Sequence, residues 1–381
     1  MRIGIEANCL LVPHLTGIEY SLLELVRHLP LAAPSHEYRL HFNFTRPEFR
    51  QRYEARVLPL LGDQLQARHC RVPSLIMQPL KDWLHWPVEA SLGRCDAVFY
   101  HSLDVQPQRW GRKVVTIHDL MPMTHADYYP DTDAAHFKRK VPGIVRDADA
   151  LVAVSQYTKD MLVDRFDADA SRITVVHHGV DPRFVRPDAG SVASLRAKLG
   201  LVRPYLLFVG TAEPRKNLPR LLDAYARLRG AGHPDLCFVI AGKAAWGSQA
   251  LRDRIAQLAL QDDVVLTGPV DSADLPALYA GADVFSLPSI AEGFGMPLLE
   301  AMACGTPVVA SNATALPEVY GDAALGVDPF DSDALADAIA RIRSDTALRD
   351  SLVERGLRRA AAFSWHYSAQ RLAAVFEGAP A

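Results

Sequence analysis

Between Glu292 and Val309 the chain reads EGFGMPLLEAMACGTPVV, a glycine loop that turns into a short helix and then into a buried strand. Its residue types suit a diphosphate. Gly293 and Gly295 let the backbone approach a ligand with no Cβ in the way, and Pro297 fits a first helical turn, where no N–H is needed. The free N–H groups of that turn point at an anion. Glu292 and Glu300, eight positions apart, cannot serve the anion and suit hydroxyl groups instead. A carboxylate that accepts two hydrogen bonds from a vicinal diol clamps a ribose or a sugar. Phosphate flanked by hydroxyls describes a nucleotide sugar. A glycine pair alone would mean no more than a tight corner in an α/β protein. The pattern continues through Ala-Cys-Gly-Thr-Pro-Val-Val, and that length favours the functional reading.

Cations for such a ligand are present elsewhere. The segment VGTAEPRKNLPRLL, Val209 to Leu222, follows a strand and opens a helix, placing Arg215 and Lys216 beside Gly210. Read as structure only, it is a polar loop with Asn217 capping the helix. His118, in KVVTIHDL, stands at the carboxyl end of a strand, where open α/β sheets bind ligands. A lone histidine there is more often a structural hydrogen-bonder. Thr16 and Gly17, in HLTGIEYSLLEL, fall between the first strand and the first helix. Asp131, Thr132 and Asp133 form a DxD, a metal-binding spacing, yet the triplet precedes a helical run and fits an N-cap with acid in the first turn. His177 and His178 are adjacent on a strand and point to opposite faces, which argues against a two-ligand metal site. Ser155 reads as a helix cap with no base beside it to make it a nucleophile.

Together these segments resemble the donor site of retaining GT-B glycosyltransferases of family 4, the glycosyl transferases group 1, in a mannosyltransferase-like form. The resemblance covers nearly the whole chain and is strongest from Val209 to Glu318. It implies that Glu292 contacts the transferred sugar, that Glu300 binds the ribose, and that the amides of Gly293, Phe294, Gly295 and Met296 meet sugar and phosphate. It implies that Lys216, with Arg215, stabilises the diphosphate as it leaves, since charge growing on the phosphate must be met by fixed cations or dipoles. His118 is expected to reach across the cleft to the donor sugar, making His118, Lys216 and Glu292 the expected catalytic set. Gly17 is expected to approach the phosphates when the domains close. Two departures stand out. Thr211 occupies the place where many members carry an arginine, and Glu19 the place where a small residue is common.

The bulk numbers agree. At 381 residues the chain exceeds what one core usually holds. A net charge of −3 argues against general nucleic-acid binding. Five cysteines, odd in number and without a CxxC pair, suggest a reduced, cytoplasmic protein without structural zinc. No apolar run reaches membrane-spanning length, and the N-terminus reads as a first strand rather than a secretory signal.

Short apolar runs alternate with helical patterns throughout, the signature of parallel α/β architecture. The expectation is a GT-B fold: a Rossmann-like acceptor domain over residues 1–183, a linker around Asp181 to Gly190, and a Rossmann-like nucleotide-sugar domain over 190–363. A closing helix over about 364–381 is expected to cross back to the first domain. From Arg39 to Arg71 the sequence is rich in arginine and is followed by IMQPLKDWLHWP, with Trp83 and Trp86. This suits a membrane-surface patch at the inner face of the membrane. A solvated helix face followed by buried tryptophans is an equally good reading.

The expected function is therefore a retaining, metal-independent transferase, without cofactor, moving a sugar, best mannose from GDP-mannose, to a growing glycan or lipid-linked oligosaccharide in cell-surface polysaccharide or lipopolysaccharide biosynthesis. Two rivals stand beside it. One is a nucleotide-sugar epimerase or hydrolase on the same scaffold, which needs a pair of acid and base carboxylates. The other is a catalytically silent partner subunit, which has no need to keep Glu292, Glu300, Lys216 and His118 together.

Overall fold

The computed structural model describes residues 1–243 and 248–379, with the side chains of Ser74, Gln78, Lys81, Asp82 and Ser248 excepted. The last two residues of the expected closing helix, Pro380 and Ala381, lie outside the described residues. Two compact units result. One comprises residues 1–123, 132–179 and 364–381, the other residues 124–131 and 180–363.

The first unit holds seven parallel strands: β1 (Arg2–Glu6), β2 (Glu37–Asn43), β3 (Leu65–Cys70), β4 (Ala97–Tyr100), β5 (Arg112–Ile117), β6 (Ala150–Ala153) and β7 (Ile173–Val175). Their order is β3-β2-β1-β4-β5-β6-β7. The order reverses between β1 and β4, which creates a crevice at the strands' carboxyl ends. The helix Gly17–Ala32 buries Leu22, Leu25, Val26 and Leu29. It packs against the last helix, Trp365–Glu377, whose Phe376 meets Phe99 of β4 with ring centroids 5.7 Å apart.

The second unit repeats the plan. Its strands are β8 (Tyr205–Val209), β9 (Cys237–Ala241), β10 (Val264–Gly268), β11 (Val284–Leu287), β12 (Val308–Ser311) and β13 (Ala324–Val327). Their order is β10-β9-β8-β11-β12-β13, all parallel. Residues of β9, β11 and β12 are buried throughout, as strands covered on both faces must be. The reversal falls between β8 and β11, so the loops leaving those two strands are neighbours.

The Arg39–Arg71 segment corrects its expectation as a solvated helix face. It comprises most of β2, the helix Pro47–Arg56 and all of β3, a strand that sequence reasoning did not find. Edge strand β3 keeps only Leu65 buried and edge strand β13 only Val327, and β3, LQARHC, shows no run of apolar residues. The expected burial of the tryptophans is also corrected: Trp83 and Trp86 are exposed, at 84% and 45%.

Candidate functional site

The loops after β8 and β11 build a charged cluster at the switch point of the second sheet. Lys216 ends a short 3-10 turn, Pro214–Lys216, and Glu292 lies just before the glycine loop. The Lys216 ammonium donates to Oε1 of Glu292 at 2.5 Å, and the Arg215 guanidinium donates to Oε2 at 2.9 Å. Ser289 Oγ adds a third bond, to Oε1 at 2.7 Å. Lys216 and Glu292 are both buried, at 8% and 7% exposure. Burial by itself would raise the Glu292 carboxyl, but Lys216 and Arg215 overcome it and hold the group at about 2. Burial lowers the Lys216 ammonium, against the pull of Glu292. One buried carboxylate thus fixes two cations side by side.

Several backbone devices hold this cluster. Ile290 N–H donates to the Arg215 carbonyl at 2.8 Å, tying the two loops directly. Asn217 corrects its reading as a side-chain cap. It occupies the N-cap position in a left-handed conformation, φ 61°, but its amide donates to the carbonyls of Pro288 and Pro329 instead. Gly242 approaches the β8 loop so closely that a Cβ there would collide with the Gly210 carbonyl oxygen.

The helix Met296–Ala303 begins after Gly295, whose φ of 97° needs a residue without a Cβ. A Cβ at Gly295 would also meet Leu316 at 2.5 Å. Pro297 follows Met296 in the first turn, so that end of the helix presents backbone donors without a side-chain cap. Phe294 is buried, its ring edge-on against Phe363 with centroids 5.9 Å apart. Glu300, on the same helix, accepts from the Tyr279 hydroxyl at 2.7 Å through Oε2. Burial raises the Glu300 carboxyl to about 7, against that hydrogen bond, which pulls it down. Thr211 follows Gly210 and is half-buried, its carbonyl accepting from Glu213 N–H at 2.8 Å.

In the first unit, His118 leaves β5 at the carboxyl end of the sheet. Its Nε2 lies 2.8 Å from the His101 carbonyl, which can only accept, so Nε2 carries the proton and Nδ1 is an acceptor. Burial depresses His118 to about 4, so the ring is neutral near pH 7. His101 meets it edge-on, with centroids 4.5 Å apart, and His178 stacks at 5.7 Å. Gly17 is the first residue of its helix, and the backbone N–H of Thr16 before it donates to the Glu19 carboxylate at 2.8 Å, closing a capping box. Glu19 is therefore the partner of its own helix end. Asp131 opens the helix Asp131–Asp147. No group of three or more histidine, cysteine, aspartate or glutamate side chains is placed to hold a metal ion among the described residues.

Residues 193–359 match the family model of glycosyl transferases group 1, and residues 15–184 that of glycosyltransferase family 4. Over 369 residues the chain is 30% identical to the O-antigen chain mannosyltransferase B of Escherichia coli, covering 92% of this chain and 93% of that one. The chain belongs to glycosyltransferase family 4. It is also 36% identical over 288 residues to the D-inositol 3-phosphate glycosyltransferase of Salinispora arenicola, covering 71% of this chain and 64% of that protein. Among solved structures, HepE of Anabaena, in complex with UDP and glucose, superposes with a TM-score of 0.76 at 21% identity, over 99% of this chain and 100% of that one. WaaG, a glycosyltransferase involved in lipopolysaccharide biosynthesis, gives 0.70 at 16%, again over 99% and 100%. These likenesses show the fold, which is GT-B.

The structure of this family 4 glycosyltransferase brings Arg215, Lys216, Glu292 and the glycine loop together, while His118 and Gly17 belong to the other unit. It also adds residues that sequence reasoning missed. Ser289 lies three positions before Glu292 and was the easiest to find. Thr314, a β-branched residue at φ 55°, accepts the Glu292 N–H on its hydroxyl at 3.1 Å. Left-handed backbone at such a residue is strained and persists because its surroundings enforce it. Tyr129 lies under the Arg215 guanidinium, 5.9 Å from its ring centroid, and nothing in its sequence neighbourhood signals that.

Proposed function

We propose that this glycosyltransferase transfers mannose from GDP-mannose, with retention of anomeric configuration and without metal, to a growing or lipid-linked glycan of a cell-surface polysaccharide. The observation that carries the reading is the Lys216–Glu292–Arg215 cluster beside the uncapped helix start at Met296. Two fixed cations and a set of backbone donors at the sheet's switch point suit a diphosphate and the charge it gains on leaving. The choice of mannose and of a polysaccharide product rests on the likeness to the O-antigen chain mannosyltransferase.

In the proposed reaction the bond between the sugar's anomeric carbon and the diphosphate oxygen breaks, and the acceptor hydroxyl oxygen bonds to that carbon on the same face. The acceptor's proton passes to the departing phosphate oxygen. Lys216, Arg215 and the amides near Met296 receive the leaving charge, Glu300 holds the ribose, and Glu292 meets the sugar after holding the cations. Neutral His118 offers its ring to the sugar hydroxyls. Peripheral membrane contact is part of the proposal. Leu75, Ile76, Trp83, Leu84 and Trp86 form an exposed apolar stretch, and Arg71 shortly precedes it. No helix among the described residues is long and apolar enough to cross a membrane.

The test is a panel of radiolabelled nucleotide sugars offered with a lipid-linked saccharide acceptor, in the presence of EDTA, with the product's anomeric proton read by NMR. Transfer from GDP-mannose with retained configuration is expected. Activity that EDTA abolishes and manganese restores, or an inverted product, overturns the metal-free retaining reading. Transfer only from a uridine donor overturns GDP-mannose. Co-sedimentation with anionic vesicles that Trp83→Ala with Trp86→Ala does not weaken overturns the membrane contact.

A further inference from the structure

Glu292 and Glu300 are held in different ways. Both oxygens of Glu292 carry protein donors, whereas Glu300 accepts on Oε2 alone, and among the described residues Oε1 has no hydrogen-bond partner. The donor to Oε2 is itself immobile. Tyr279 is fully buried, its ring edge-on to Phe184 at 5.9 Å and to Phe285 at 5.4 Å. Its carbonyl accepts from the Thr306 hydroxyl at 2.7 Å, so ring and backbone are both fixed. A glutamate on a helix otherwise rotates about three side-chain bonds, and one oxygen fixed by a rigid donor removes most of that freedom.

We infer that Tyr279 is a positioning residue for nucleotide binding: its hydroxyl fixes one oxygen of Glu300 and so keeps the other for a ribose diol. This rests on the proposed reading of Glu300 as the ribose carboxylate. The charged surroundings fit. Burial keeps the Tyr279 hydroxyl protonated well beyond its ordinary range, so it is a permanent donor. Arg183 favours the charged form of Glu300 and Asp181 opposes it, and these two pair with each other at 2.6 Å. Cys304, pushed up to about 12 by burial, stays neutral. Against a burial cost that lifts Glu300 to about 7, the Tyr279 bond is the largest influence favouring its charge. A charged carboxylate is the stronger acceptor for a diol. Tyr279→Phe therefore loosens Glu300 and leaves more of it protonated near neutrality.

The experiment is calorimetric titration of wild type, Tyr279→Phe and Glu300→Gln with GDP and with 2′,3′-dideoxy-GDP, from about pH 6 to about pH 9. The uridine pair replaces them if the donor panel selects UDP. Wild type is expected to prefer the ribose nucleotide. Tyr279→Phe, which keeps the buried ring, is expected to lose about tenfold of that preference, the scale of one hydrogen bond to a charged group. The pH at which the preference sets in should also move up, a shift that a merely structural role would not cause. If Tyr279→Phe keeps both the wild-type preference and its pH midpoint while Glu300→Gln loses the preference, the inference fails and the ribose reading stands. If wild type shows no preference, or Glu300→Gln leaves it intact, the ribose reading itself fails and takes the inference with it.

Discussion

Lys216 and Glu292 stand 76 positions apart in sequence and 2.5 Å apart in space, with Arg215 closing the other side of the same carboxylate. The pair is buried, so losing the Glu292 charge leaves the Lys216 ammonium without its partner. Glu292→Gln keeps the shape of the side chain and removes its charge. Stability without ligand should fall by about 3–5 kcal/mol, the usual cost of breaking a buried ion pair. Because a diphosphate can supply the missing negative charge, GDP should raise the melting temperature of this variant more than that of wild type. Equal shifts in a thermal-unfolding experiment would show that the nucleotide does not meet these cations.

Replacing Lys216 by Ala should cost on the order of 10²-fold in turnover, because it removes a cation aimed at charge that grows as the sugar leaves. Arg215→Ala should cost less, since the Arg215 guanidinium also pairs with Glu213 at 2.8 Å and so divides its charge. Steady-state kinetics of the two variants decides it. Near-normal rates for both would remove the diphosphate role from this loop.

Gly242→Ala tests the backbone packing under the cluster. At φ 143° and against the Gly210 carbonyl, a methyl group must push the β8 and β9 loops apart. We expect a loss of about 1–3 kcal/mol in stability and a weaker nucleotide complex, measured by denaturant unfolding and calorimetry. A matched Gly230→Ala, in a helix with open space around it, should change neither by much.

The histidine cluster predicts a pH dependence of stability. Burial depresses His101 and His178 well below their ordinary range and His118 to about 4, with each charge opposed further by a neighbouring histidine except at His118, where Glu19 favours it. At these three rings the unfolded chain therefore binds more protons than the native one between the ordinary histidine value, about 6.5, and about 4, while Glu300, raised to about 7, works in the opposite sense. The histidines' contribution to stability is full above that window and lost as pH falls through it. His118→Asn should flatten this slope in denaturant titrations run at stepped pH. An unchanged slope would mean that His118 is already charged in the native state.

The fold class was legible because parallel strands covered on both faces are short continuous apolar runs, as at Tyr205–Val209 and Cys237–Ala241, and helices between them follow their own period. The glycine loop was legible for a related reason: a residue without a Cβ, a proline and two carboxylates at close spacing state a local geometry. Edge strand β3 was not, since LQARHC, with only Leu65 buried, carries no apolar signature, and β13 was not, since Ala324–Val327 is only four residues long and holds a glycine.

What sequence determined alone is the inventory of the candidate site: a glycine loop that opens a helix, two cations, two carboxylates and a histidine at a strand end. What the tertiary structure decided is who holds whom. The sheet order β8-β11 sets Lys216 against Glu292, and the packing of Phe184 and Phe285 aims Tyr279 at Glu300. Such pairings join residues tens of positions apart, and no local spacing encodes them. They follow from burial, which forces each polar group out of water to find a partner among whatever the topology brings within reach.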